Sequence, residues 1–160
     1  MDDSAFQSLI GRLDYPMFVV TTAGRGERVG CLVGFATQTS IDPARFLVCI
    51  SDKNRTCRVA RDAGTFAVHL VPSDRGDLAE LFGGETGDDT DKFERARWHD
   101  GPDGVPLLDD CPSWFAGRIL ERHVLGDHVG HLLEPFDGSD GGDDWLGFTR
   151  AKRIEPGHEA

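Results

Sequence analysis

Six short apolar runs, rich in β-branched and aromatic residues, recur along this chain, and turn residues rather than long helices separate them. Residues 17–22 and 28–35 flank Ala23-Gly24-Arg25-Gly26-Glu27 and read as a hairpin. Residues 46–51 lie between Asp42-Pro43 and Asp52-Lys53-Asn54, and residues 65–71 form a fourth run. Two longer runs, 114–125 and 129–136, are joined by Gly126-Asp127-His128, and 145–149 is a candidate last strand. Helical spacing is confined to short stretches. Phe6, Leu9, Ile10 and Leu13 share one face behind a Ser4 cap, and Tyr15-Pro16 ends that helix. Residues 56–63 and 74–82 give two more short helices, and 92–98 one helical turn. Such a pattern predicts an antiparallel barrel with small helices attached. There is neither β-α-β alternation nor G-x-G-x-x-G, which argues against a dinucleotide-binding parallel sheet.

At 160 residues the chain fits a single domain, 1–160, with an acidic, flexible tail region from about 137. Its net charge of −11 opposes both a phosphate-tracking nucleic-acid face and charge-driven binding to anionic membranes. The acids cluster between 85 and 110, where Glu85, Asp88, Asp89, Asp91, Glu94, Asp100, Asp103, Asp109 and Asp110 face only Lys92, Arg95 and Arg97. Arg25, Arg28, Arg45, Lys53, Arg55, Arg58 and Arg61 precede them, so an anionic ligand is expected on the first half. Cys31, Cys49, Cys57 and Cys111 form no C-x-x-C pair. Met1-Asp2-Asp3 is acidic where a secretory leader is basic, and no apolar run has membrane-spanning length, so the expectation is a reduced cytoplasmic protein.

Three segments carry candidate chemistry. Thr37-Gln38-Thr39-Ser40, between Gly34-Phe35-Ala36 and Ile41-Asp42-Pro43, is a run of hydrogen-bonding residues beside small ones. It suits contact with a flat heteroaromatic ring or a phosphate, and it equally suits a solvent-facing strand end. Ser51, Asn54 and Thr56, with Lys53, Arg55 and Arg58, precede or open a predicted helix, where an anion or an ordinary cap both fit. Gly126-Asp127-His128 places His128 at a pocket edge or in a plain β-turn. His123, His128, His131 and Glu134 match no recurrent ligand spacing, so no metal is expected. G-x-S-x-G and H-E-x-x-H are both missing, which leaves the chemistry of an enzyme here to a bound cofactor.

Asp14-Tyr15-Pro16-Met17, the run from Thr37 to Pro43, the Ser51/Asn54/Thr56 turn, Phe82-Gly83 with Asp91-Lys92-Phe93, and Gly126-Asp127-His128 follow in a set order. From about Leu13 to about Pro135 the chain thereby resembles the flavin reductase-like family of FMN-binding split barrels. The resemblance implies a mainly β fold, a six-stranded antiparallel Greek-key split barrel with a few short helices, paired as a homodimer with flavin near the interface. It implies that Thr37, Gln38, Thr39 and Ser40 contact the isoalloxazine and ribityl chain, and that Ser51, Asn54 and Thr56 hold the phosphate. Lys92 and Phe93 would come from a loop near the ring, and His128 would be the catalytic candidate beside flavin or nicotinamide. The implied activity is an oxidoreductase passing hydride from NADH or NADPH to FMN, with free flavin or a two-component monooxygenase as acceptor. FAD in place of FMN, the deazaflavin F420, and a non-catalytic flavin-binding electron carrier are the alternatives. Two departures stand out: Asn54 and Arg55 replace the Ser or His of many members, and Cys57 replaces an aromatic residue, which favours FMN over FAD. The acidic stretch 85–110 would repel anionic NAD(P)H, which counts against fast turnover.

Overall fold

A computed structural model describes residues 3–84 and 91–153. In chain order the strands are β1 (Phe18–Gly24), β2 (Glu27–Val33), β3 (Ala36–Ser40), β4 (Arg45–Ser51), β5 (Thr65–Leu70), β6 (Trp98–Asp100), β7 (Pro106–Leu108), β8 (Trp114–Leu125) and β9 (His128–Ser139). The helices are α1 (Asp3–Ile10), α2 (Arg55–Ala60), α3 (Gly76–Gly84) and α4 (Phe148–Ala151). Seven strands form one antiparallel sheet in the order β2-β1-β5-β8-β9-β4-β3, and β6 and β7 form a separate ribbon.

Strands β2 and β3 stand at opposite ends of that order, yet only Gly34 and Phe35 separate Val33 from Ala36. Six strand spacings of about 4.8 Å would set flat edges roughly 29 Å apart. Three residue steps span at most about 11 Å. The sheet therefore curls until its edges lie close, with no ladder joining β2 to β3 among the described residues. Gly34 makes the corner: a Cβ there would stand 2.8 Å from the Tyr15 ring.

Alternation along β1 explains why both sheet faces are buried here. Val20 points into the curl with Cys31, Val33, Val48, Ile50, Phe66, Val68 and Leu133, and α2 closes one end with Cys57 and Ala60. Val19 points outward into a second cluster with Met17, Val71 and the Leu78, Leu81 and Phe82 side chains of α3. The segment that carries β6 and β7 lies over β1 and β5 and is clamped by polar groups. His69 Nδ1 lies 3.0 Å from the Val19 carbonyl, and the Leu108 N–H donates to His69 Nε2 at 3.0 Å. Thr21 Oγ1 donates to the Pro106 carbonyl at 2.6 Å, and Thr65 Oγ1 to the Asp103 carboxylate at 2.7 Å. Burial pushes the His69 pKa down to about 4, so the ring is neutral, donating from Nδ1 and accepting at Nε2.

Several expectations change. The main sheet has seven strands rather than six, because the polar run after Gly34 is the separate strand β3. The three-residue β6 and β7 are too short to leave a periodic signal. Residues 145–149 hold no strand: Trp145 and Gly147 make isolated bridges to Pro72 and Pro16 before α4 begins. In the tail, β9 runs on through Ser139, the Gly141 N–H donates to Ser113 Oγ, and the Leu146 N–H donates to the Val71 carbonyl. Of the acidic cluster, Glu85, Asp88 and Asp89 lie outside the described residues.

Candidate functional site

The turn from β4 into α2 is built by its own side chains. Asn54 caps α2, its Oδ1 accepting from the Thr56 N–H at 2.8 Å, and Ser51 Oγ accepts from the Lys53 N–H at 3.3 Å. The Asp52 N–H donates to the Asp127 carbonyl at 3.0 Å, which fastens this turn to the β8–β9 turn. At its far end α2 is held by Arg122 of β8, whose Nη2 donates to the Ala60 and Ala63 carbonyls at 2.8 and 2.7 Å. The helix spans six residues, so its dipole is small and the cations Lys53, Arg55 and Arg58 supply most of the local positive charge. Thr56 differs from expectation: it is 1% exposed, its N–H is used by the cap, and its hydroxyl faces the Cys31 thiol. Its inward position comes from α2 plugging the curled sheet.

Strand β3 is the edge of the sheet, with Thr37, Gln38 and Thr39 exposed and Ser40 half-buried. Thr37 pairs with Leu47 and Gln38 with Phe46, and a bulge before Ser40 leaves Thr39 without a partner. The Gln38 amide donates to the Ser40 carbonyl at 3.1 Å. Just before β3, Phe35 lies against the His128 ring at 5.0 Å between centroids. His128 opens β9 directly opposite Ser51 of β4, and its Nδ1 lies 2.7 Å from Asp127 Oδ1. That hydrogen bond holds the Asp127 carboxyl below the usual carboxylate range. With Nδ1–H given to Asp127, Nε2 is the acceptor of the neutral ring. Gly130 follows on the same face, where a Cβ would stand 2.7 Å from Leu125 Cδ1 and 3.2 Å from Leu47 Cδ1.

Segments far apart in sequence thus meet at one end of the β3-β4-β9 face: Phe35 with the start of β3, Ser51 to Asn54, and Asp127-His128. Sequence reasoning named all three segments but singled out neither Phe35 nor Asp127 as a contact, their only signals being an apolar residue beside Gly34 and a carboxylate beside a histidine. Ser40 lies five residues down the edge from Phe35, roughly 16 Å away in an extended strand. Lys92 and Phe93 belong elsewhere. Lys92 is buried with Nζ on the Phe82 and Gly30 carbonyls at 3.0 and 3.3 Å, and Phe93 packs edge-on between Phe82 and Trp98. Both serve the second core cluster, because Asp91 caps their 3-10 turn against α3.

Among the described residues no group of three or more His, Cys, Asp and Glu side chains could hold a metal ion, and no helix is long and apolar enough to cross a membrane. His131 is turned into the core against Phe66 and the Val48 carbonyl, and His123 pairs with Glu121. All four cysteines are free, and burial raises the Cys31 thiol to about 11 and Cys111 to about 12. Burial also pushes Cys49 and Cys57 up, so none is a ready thiolate. At this end stand an aromatic face at Phe35, an imidazole at His128, and hydroxyl, amide and ammonium groups at Ser51, Asn54 and Lys53. Such a set fits a flat heteroaromatic ring joined to a phosphate.

The model of the flavin reductase like domain matches residues 10–150. FMN reductase (NADH) RutF of Methylorubrum extorquens strain DM4 is 31% identical over 128 residues, which cover 80% of this chain and 62% of that protein. The chain therefore spans about three fifths of the length of that relative. A flavin reductase domain protein of Arthrobacter sp. FB24 superposes with a TM-score of 0.82 at 22% identity, covering 92% of this chain and 91% of that one. An FMN-binding protein of Thermus thermophilus, with p-hydroxybenzaldehyde bound, gives 0.75 at 25% identity over 81% and 74% of the two chains. With a match that runs from the end of α1 to α4 and takes in every element of the site, the chain belongs to the flavin reductase-like domain family.

Proposed function

We propose that this chain binds flavin mononucleotide at the β3-β4-β9 end and catalyses NADH- or NADPH-dependent flavin reduction. The observation that supports the reading is the meeting of Phe35, the 51–54 turn and the Asp127-His128 turn, which brings an aromatic face, a polar, cationic turn and an imidazole together. Membership of the family and likeness to an FMN reductase (NADH) and to an FMN-binding protein support it.

When bound, the flavin supplies the two-electron acceptor that takes hydride from the nicotinamide and passes electrons on. The protein's part is binding and orientation. Lys53, with Ser51 and Asn54, neutralises and hydrogen-bonds the phosphate. Thr37, Gln38 and Thr39 would offer the ring and ribityl chain the polar rim of the sheet edge. Phe35 offers a face for stacking. His128, hydrogen-bonded to Asp127, would offer Nε2 to the ring or the nicotinamide amide and hold that partner in register.

The curled sheet is, on this reading, the family's split barrel, open between β2 and β3. A homodimer is part of the proposal: Phe35, Ile41, Leu120, Val124 and Leu125 are exposed apolar residues on β8, β8's turn and the flanks of edge strand β3. Four unpaired thiols fit a reducing, cytoplasmic compartment. A two-component monooxygenase is one acceptor for the reduced flavin. The test is NADH and NADPH oxidation by the purified protein with added FMN, beside an FMN titration followed by absorbance. Flavin-dependent turnover is the expected result. A yellow protein inert to both nucleotides would leave an electron carrier instead, and a colourless one that gains no thermal stability from FMN would sink the flavin reading altogether.

A further inference from the structure

We propose that Tyr15 is a positioning residue for the candidate site: stacked on Phe148 of α4, its ring holds the Gly34 corner and, through it, the Phe35 face beside His128. The inference rests on the reading of the β3-β4-β9 end as the flavin site. It adds residues 146–149, which touch neither β3 nor β9 through any backbone hydrogen bond described above, to what shapes that end.

The corner needs a support. Only Gly34 and Phe35 cross from β2 to β3, and no ladder joins those strands among the described residues. The Cys49 N–H donates to the Phe35 carbonyl at 2.9 Å, which fixes the corner on its β4 side. On the other side stands Gly34, and glycine has the widest backbone freedom of any residue. Tyr15 fills the space that a side chain on Gly34 would take. A Cβ there would stand 2.8 Å from Tyr15 Cε2 and 3.2 Å from Met17 Sδ. The ring thus limits how far the glycine can swing. Phe35 follows directly in the chain and leans on the His128 ring at 5.0 Å between centroids. It is 54% exposed, so its own packing holds it only in part.

Tyr15 is itself held from behind. Its ring lies on the Phe148 ring with centroids 4.7 Å apart and planes 12° from parallel. The Phe148 N–H donates to the Tyr15 carbonyl at 2.8 Å, and the Met17 N–H to the Leu146 carbonyl at 2.9 Å. Asp14 Oδ1 accepts from the Tyr15 N–H at 3.0 Å and from the Thr149 N–H at 3.1 Å, which ties the two segments a third time. Gly147 leaves room for that carboxylate, since a Cβ there would stand 2.5 Å from Asp14 Oδ1. Leu146 and Phe148 are anchored in the second core cluster. Support therefore runs from that cluster through Phe148, Tyr15 and Gly34 to Phe35 and His128, each step a packing contact or a chain neighbour. Plain core packing by Tyr15 would stabilise the fold without altering the surroundings of His128, and that difference can be measured.

The experiment compares the wild type with Tyr15→Phe, Tyr15→Leu and Phe148→Leu. The readouts are the His128 Cε1–H resonance, an FMN titration and steady-state NADH oxidation. Tyr15→Phe keeps the ring and should match the wild type in all three. Tyr15→Leu should move the His128 resonance, weaken FMN about tenfold and lower kcat/KM about tenfold, with KM carrying most of the change. Phe148→Leu stands one step behind and should shift the same quantities in the same direction, by about threefold. Leucine variants that lose stability but keep the wild-type His128 resonance and FMN affinity overturn the proposal. So does a Tyr15→Phe variant that behaves like Tyr15→Leu. If Tyr15→Leu does not fold, Phe148→Leu decides by the same readouts. If the wild type binds no FMN, the flavin reading falls and the resonance alone decides. A shift in a leucine variant and none in Tyr15→Phe then keeps the support of His128 by Tyr15, and no shift in either leucine variant overturns that as well.

Discussion

Two histidines on neighbouring parts of one sheet divide its labour. His69 on β5 is fully buried, and both ring nitrogens are spent on backbone groups of β1 and β7. His128 at the start of β9 is half-buried, and it spends one nitrogen on Asp127 and packs at a tilt against Phe35. The wall over β1 and β5 is closed by the segment carrying β6 and β7, whereas at the β3-β4-β9 end Phe35, Thr37, Gln38 and Thr39 are exposed. Lysines repeat the contrast: Lys92 is buried on carbonyls, Lys53 is exposed beside the candidate phosphate turn. A polar side chain in the closed wall serves the fold, and one at the open end stands beside the candidate site.

The sharpest way to break this comparison is His69→Ala. It leaves the Val19 carbonyl and the Leu108 N–H buried without partners and opens a cavity, so urea unfolding should show a loss on the order of 4 kcal/mol. His128→Ala should stay within about 0.5 kcal/mol of the wild type while flavin-dependent NADH turnover falls by about a hundredfold in kcat/KM. Equal destabilisation by the two would erase the distinction.

Acid should act chiefly through the buried histidines. His69 is held neutral with its pKa lowered to about 4, against 6.5 for the ordinary group. Below 6.5 the unfolded chain therefore binds a proton that the folded one refuses. Stability from this group is complete above about pH 6.5 and is lost as pH falls toward 4, about 3 kcal/mol in all. Burial lowers the His131 pKa as well, which adds loss of the same sign. Unfolding measured between pH 7 and 4 should show the slope, and His69→Asn should reduce it.

Lys92→Met should cost about 2 kcal/mol, because the Gly30 and Phe82 carbonyls lose their donor, with FMN affinity unchanged. Lys53→Ala should leave stability within about 0.5 kcal/mol and weaken FMN about tenfold. A fall in FMN affinity with Lys92→Met, read by fluorescence titration, would join the two regions that the fold separates. The smallest expected effect is Asp127→Asn, a fewfold loss in kcat/KM through a less firmly oriented His128.

Much of the fold was legible because strand signals are local. Alternation and turn residues marked six strands and the β1–β2, β8–β9 and β4-to-α2 turns, and of the two cap candidates, Asn54 and Thr56, Asn54 is the cap. Residues 145–149 read as a strand because Trp145, Leu146 and Phe148 are apolar, but Leu146 and Phe148 pack on the second core cluster without joining the sheet. Thr56 and Lys92 were read as ligand contacts because hydroxyl and ammonium groups look alike whether they face solvent or core. Burial decided between those roles, and burial depends on what lies across the sheet.

By itself the sequence determined a mainly β chain, its hairpins, the polar run along β3 and the resemblance that names its family. Each depends on residues close together in the chain or on a motif order that folding does not alter. Tertiary structure decided which polar groups converge. The two-residue step from β2 to β3 forces the sheet to curl, and pairing of β4 with β9 sets Ser51 opposite His128. Those are long-range consequences of strand order and register, and a one-residue slip in either ladder would turn each of these side chains to the other face.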